Sequence, residues 1–91
     1  LVEAEIDGSG DMELEGLTDD FNIRIDGSGD IMAFDLNALR ANVRINGSGN
    51  VEIFVQDFLQ VDINGSGDVY YKGNPELDVR IDGSGDVIDA N

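Results

Sequence analysis

The sequence predicts an all-β fold: a right-handed, single-stranded parallel β-helix, or β-solenoid, of about five coils of 18–20 residues. Three observations carry that prediction. The pentapeptide Asp/Asn-Gly-Ser-Gly-Asp/Asn occurs five times, centred on Ser9, Ser28, Ser48, Ser66 and Ser84. Apolar and polar residues alternate on both sides of every copy. One outward register brings opposite charges side by side when the repeats are stacked.

The turns come first. The spacings between the five serines are 19, 20, 18 and 18 residues, at the short end of solenoid periods. Ten of the twelve glycines lie in these turns, so the turns, not the strands, are what demands glycine. Each Gly-Ser-Gly reads as a tight reversal, since glycine takes φ > 0 without a Cβ clash.

The strands follow from period-two alternation. Before the turns run Val2-x-Ala4-x-Ile6, Phe21-x-Ile23-x-Ile25, Ala41-x-Val43-x-Ile45, Leu59-x-Val61-x-Ile63 and Leu77-x-Val79-x-Ile81. After them run Met12-x-Leu14, Ile31-x-Ala33, Val51-x-Ile53 and Val69-x-Tyr71, with Val87 starting a fifth. The alternate apolar positions predict a core of stacked columns, with Ile6, Ile25, Ile45, Ile63 and Ile81 the most regular. The intervening segments Gly16–Asp20, Asp35–Arg40 and Gly73–Glu76 read as the second corner of each coil. Asp35–Arg40 alone has the composition for one helical turn.

A meander also has strands at this spacing, but it gives no reason to repeat one pentapeptide at one end only. Stacked parallel coils place identical turns above one another. The outward residue before each turn's Ile supplies the test: Glu5, Arg24, Arg44, Asp62 and Arg80 fall in one column, with opposite signs adjacent at Glu5–Arg24, Arg44–Asp62 and Asp62–Arg80. Right-handedness follows from the rule for parallel crossovers. At about 4.8 Å per coil, five coils make a rod roughly 24 Å long. Neither terminus supplies a polar cap, so the ends are expected to meet a partner or further sequence.

Composition excludes several functions. The 91 residues carry 20 Asp plus Glu against 5 Lys plus Arg, a formal net charge of −15. A nucleic-acid partner or insertion into an anionic membrane is therefore not expected. With no Cys and no His there is no thiol nucleophile, disulfide framework, zinc finger or imidazole base. No apolar run is long enough for a transmembrane helix. Residues 1–91 are read as one β-solenoid domain.

Five copies of Gly-Ser-Gly-Asp/Asn-apolar, Gly8–Met12, Gly27–Ile31, Gly47–Val51, Gly65–Val69 and Gly83–Val87, after Val-x-Ile strands resemble the head GIN domain family of bacterial auto-transporter adhesins. The resemblance runs over the whole chain. It implies a right-handed parallel β-helix on an exported cell-envelope protein, periplasmic or surface-exposed and often lipid-anchored. It also implies that this chain is the C-terminal portion of a longer domain. It brings no catalytic residues.

The turn flanks are the first candidate site. Asp7, Asp26, Asn46, Asn64 and Asp82 would form one column, and Asp11, Asp30, Asn50, Asp68 and Asp86 another. Carboxylates about 4.8 Å apart repel by about 1 kcal/mol in water, and the Asn residues fall in the middle coils, where that repulsion would be greatest. The seven Asp residues are candidate Ca²⁺ ligands, calcium being the one candidate cofactor. The plainer reading is that Asx side chains bond turn amides. A nucleophilic role for the serines lacks a base, and a hydrogen-bonded serine column is the plainer expectation. Carboxylates spaced for glycoside hydrolysis arise trivially in such columns, and no long loop forms a cleft. The second candidate site is aromatic: Phe34 and Phe54 in one register of adjacent coils with Tyr70 close by, a strip for a glycan, a cell-surface protein or another copy of the chain, or simply cross-strand packing. Phe58 either joins that strip or covers a corner.

These readings converge on a non-catalytic structural or adhesive binding module of a bacterial cell-surface or periplasmic protein. A calcium-dependent carbohydrate-binding module is the alternative, and a polysaccharide-cleaving β-helix enzyme the third. Self-association through the uncapped ends or the aromatic face is a further expectation.

Overall fold

The computed structural model describes residues 1–90 and shows the parallel β-solenoid expected. Seven strands follow in order: β1 (Val2–Gly8), β2 (Asp11–Gly27), β3 (Asp30–Gly47), β4 (Asn50–Gly65), β5 (Asp68–Lys72), β6 (Glu76–Gly83) and β7 (Asp86–Asp89). Every pairing is parallel, in the order β1-β2-β3-β4-β5-β7, with β6 on β4. Principal extents of 27 × 22 × 19 Å make the rod squat.

Each Gly-Ser-Gly turn after the first is stitched to the coil before it. The first glycine's carbonyl accepts from the next coil's serine amide, as Gly27 O does from Ser48 N at 2.9 Å. The second accepts from the next Asp or Asn amide, as Gly29 O does from Asn50 N at 3.1 Å. This inter-coil bonding is why the turns are identical: a different turn would not present its amides to the carbonyls below. It also corrects two expectations. Among the described residues, no serine hydroxyl and no turn-flanking Asx side chain makes a hydrogen bond, and the serines are exposed. From the second turn on, the neighbouring coil has already taken the serine and following Asp or Asn amides that those side chains would have bonded.

The core is the predicted set of columns. Ile25, Ile45 and Ile63 are fully buried, as are Val43, Val51, Ile53, Val55, Leu59 and Val69. At the C-terminal end the columns stop: Leu77, Val79 and Ile81 face the core side but keep about two-fifths of their surface exposed, and Ile81, expected in the core, is 38% exposed. Among the described residues no coil lies above them.

The second corners depart from the expectation. The first two are not breaks, because β2 and β3 run through them as strands of 17 and 18 residues. Asp35–Arg40 is strand and not a helical turn, its backbone being paired to neighbouring coils. Unequal coil lengths are absorbed there as bulges. Between β3 and β4 the Cα register is offset by 20 residues at Ala33↔Ile53 and by 18 at Arg40↔Phe58, matching the change in turn spacing from 20 to 18. Only Gly73–Pro75 interrupts the strand path as predicted, between β5 and β6. Pro75 has no amide for a ladder bond there.

Candidate functional site

The register places the turn ladders where they were expected. Asp7↔Asp26↔Asn46↔Asn64↔Asp82 and Asp11↔Asp30↔Asn50↔Asp68↔Asp86 are continuous columns of paired residues. The seven Asp residues are exposed or half-buried. They stand in single file, and among the described residues no three acidic side chains converge into a cluster able to hold a metal ion. The middle Asn residues break the run of charge. Asn46→Asp, which restores a carboxylate beside Asp26, is expected to cost about 1 kcal/mol at low salt and to lower Tm by roughly 4–8 °C. Thermal melts at about 0.1 M and about 1 M salt check this, since screening should shrink the loss. Equal Tm values for variant and wild type at the lower salt would show that the ladder carries no such repulsion.

The aromatic strip is not a register column. Phe54 pairs with Asn37, because Phe34, Asp35 and Leu36 are looped out of the pairing between Ala33 and Asn37. Tyr70 pairs with Glu52, two positions away from the Phe54↔Lys72 pair. Phe34 instead lies under the Lys72 ammonium, 4.4 Å from ring centroid to Nζ, a cation–π contact. Phe34, Phe54 and Tyr70 are each half-buried. Phe58 lies away from all three, beyond the corner, in the column Asp20↔Arg40↔Phe58↔Glu76.

That column belongs to a second face. The limbs that lead into the turns (residues 20–26, 40–46 and 58–64) point every other residue outward, giving four columns side by side. Next to the Phe58 column runs Glu3↔Asn22↔Asn42↔Gln60↔Asp78, then Glu5↔Arg24↔Arg44↔Asp62↔Arg80, then the Asp7 ladder. Four of the five basic residues, Arg24, Arg40, Arg44 and Arg80, lie on this one face of an otherwise acidic chain. Three carboxamides, Asn22, Asn42 and Gln60, occupy its centre.

Furrows separate the columns. One of about 380 Å³ runs between the carboxamide and arginine columns. One of about 270 Å³ lies between the arginines and the turn ladder, and one of about 170 Å³ between Phe58, Arg40 and the carboxamides. Arg40 Nε donates to Asp20 Oδ1 at 2.8 Å. That bond holds the Asp20 carboxyl below its ordinary value and raises Arg40. Its contribution to stability is present at neutral pH and is lost as the pH falls through the lowered Asp20 value; both groups being exposed, it is small. Among the described residues, Asn22, Asn42, Gln60, Arg24 and Arg44 make no side-chain hydrogen bond or ion pair. Their donors and acceptors face solvent from paired strands.

Sequence reading reached the arginine column but not the carboxamides. The signal was present: Asn22, Asn42 and Gln60 lie two residues before members of the charged column, so they share its outward parity.

The comparisons agree with the architecture. No curated protein matches the chain. A crystal structure described as a putative adhesin from Parabacteroides merdae superposes with a TM-score of 0.91 at 31% identity, over 96% of this chain and 38% of that one. Another, described as a putative lipid binding protein from Parabacteroides distasonis, gives a TM-score of 0.78 at 29% identity, over 96% of this chain and 36% of that one. The chain therefore spans under two-fifths of each of these relatives. The family model described as "Putative auto-transporter adhesin, head GIN domain" matches residues 1–75, the greater part of the chain. With the turns, the coil register and that match in agreement, the chain belongs to the head GIN domain family.

Proposed function

We propose that the domain is a non-catalytic adhesive module of the bacterial cell envelope that binds a glycan on the face built from Asn22, Asn42, Gln60, Arg24, Arg44 and Phe58. The observation that carries this reading is the central ladder of three carboxamides, none of them engaged within the protein, beside the largest furrow of that face. Carboxamides offer both donor and acceptor, which suits sugar hydroxyls. The coil repeat of about 4.8 Å sets equivalent groups close to one sugar unit apart along the solenoid axis. Phe58 at the flank supplies an apolar surface for a sugar ring. Family membership and the adhesin-named relative support a binding role and the envelope setting.

A glycan array probed with the chain tests this. Binding to linear glycans is expected, and Asn42→Ala and Gln60→Ala should each weaken it roughly fivefold, the loss of about 1 kcal/mol of hydrogen bonding. Because the acidic ladders lie in single file, binding is expected to persist in EDTA. A blank array, or binding that ignores both substitutions, would overturn the assignment.

A further inference from the structure

The limbs that follow the turns (residues 11–15, 30–34, 50–54, 68–72 and 86–88) make a face unlike the carboxamide face. We propose that this face docks an extended segment of a partner polypeptide and takes one of its arginine or lysine side chains into a furrow between Met32 and Tyr70. The furrow, of about 280 Å³, is lined by Asp30, Ile31, Met32, Asn50, Glu52 and Tyr70. Along it runs the column Met32↔Glu52↔Tyr70, one residue from each of three successive coils. Met32 is 41% exposed, an apolar side chain left in water at the centre of a sheet face.

The chemistry of the lining suits a long cationic side chain. Such side chains lay an aliphatic stem on apolar surface and keep the charged head among polar groups. Met32 supplies adaptable apolar surface, the Tyr70 ring a face for the cation, and Glu52 and Asp30 the carboxylates. Among the described residues, Asp30, Glu52 and Tyr70 make no side-chain hydrogen bond or ion pair. The same face already seats one cation of its own, since Lys72 Nζ lies 4.4 Å from the Phe34 ring centroid. The surrounding charge is complementary to a basic partner: seven outward residues of these limbs are acidic, and Lys72 is their one base.

Spacing makes the occupant a chain and not a free cation. Phe54 and Lys72 lie two residues past Glu52 and Tyr70 on the same strands, about 7 Å further along. An extended peptide running with the strands sets its residues i and i+2 on one face at that same interval. With the basic residue i in the furrow, residue i+2 meets Phe54 and the Lys72 ammonium. An apolar or aromatic residue fits there, and a second basic residue is repelled.

Isothermal titration calorimetry with capped pentapeptides tests this. Gly-Arg-Ser-Phe-Gly should bind saturably, one peptide per chain, and more weakly as salt rises. Gly-Gln-Ser-Phe-Gly should bind roughly tenfold more weakly. Gly-Arg-Phe-Ser-Gly, with the same composition but Phe at i+1, should bind roughly threefold more weakly. A chain of net charge −15 attracts any cation, so the variants must separate the furrow from the general field. Glu52→Gln should weaken binding roughly tenfold, the scale of one hydrogen bond to a charged group, and Tyr70→Leu roughly threefold. Asp57→Asn, which removes the same charge from an exposed position elsewhere on β4, should change it by less than about twofold. Equal weakening by Glu52→Gln and Asp57→Asn would overturn the proposal, as would absence of binding by Gly-Arg-Ser-Phe-Gly. Nα-acetylarginine amide binding as tightly as that peptide, or equal binding by the two arginine peptides, would overturn the extended polypeptide as occupant. Should Glu52→Gln lose Tm, the comparison of Tyr70→Leu with Asp57→Asn decides alone.

Discussion

Gly47→Ala is expected to unfold the domain or lower its Tm by roughly 15–30 °C, an unusually large effect for a single methyl group. Two costs coincide at this position. Gly47 has φ of 128°, a region closed to residues with a Cβ. The added Cβ would also lie 2.2 Å from Gly27 O, the carbonyl that accepts the Ser48 amide. Nothing there can yield, because both groups are backbone and both belong to the inter-coil ladder. A loss of about 4 kcal/mol or more is the expected scale for such a clash, against a total stability of about 5–15 kcal/mol for a domain. The Tm interval follows from about 4–8 °C per kcal/mol at this size. Thermal unfolding followed by circular dichroism measures it, with Gly10→Ala as the matched control, expected within about 0.5 kcal/mol of wild type. A Gly47→Ala protein melting within a few degrees of wild type would mean that the turns are not stacked this closely.

The second large effect depends on position within one column. Ile45→Ala should cost about 2–5 kcal/mol, since Ile45 is fully buried and its removal leaves a cavity between coils with no mobile segment to fill it. Ile81→Ala, the same change two coils further along, should cost about 1 kcal/mol or less at concentrations where the chain is monomeric, because that side chain is already partly in water. Chemical denaturation of the two variants provides the comparison. Equal losses would contradict the difference in burial between the two positions.

The columns nearest the turns were legible because the turns themselves set the phase. Each strand limb is counted from a Gly-Ser-Gly whose amides must meet the carbonyls of the coil below, so the pairs Glu5↔Arg24 and Arg44↔Asp62 follow from spacing alone. Counting fails at the second corner. The coil with 20-residue spacing leaves Phe34–Leu36 without partners in β4, and that shift sets Phe54 opposite Asn37 instead of Phe34. The drop in spacing from 20 to 18 residues announced that a bulge had to occur but not which residues it would take. The roles of the serine and Asx side chains were misread for another reason: local sequence shows which groups can bond a turn amide, not that another coil has already bonded it. The glycan face was half legible. Its arginines were visible as a column of alternating sign, while the carboxamides beside them are uncharged and carry no such alternation to mark them.

The reading of this face as the ligand surface is tested most directly by an isotope-edited NMR titration of the chain with the strongest-binding glycan from the array. The side-chain NH₂ resonances of Asn22, Asn42 and Gln60 report on the proposed contacts themselves. They are predicted to shift together and saturably, with backbone changes confined to residues 20–26, 40–46 and 58–64. Shifts centred instead on Phe34, Phe54 and Tyr70, with these three NH₂ groups unmoved, would contradict the assignment.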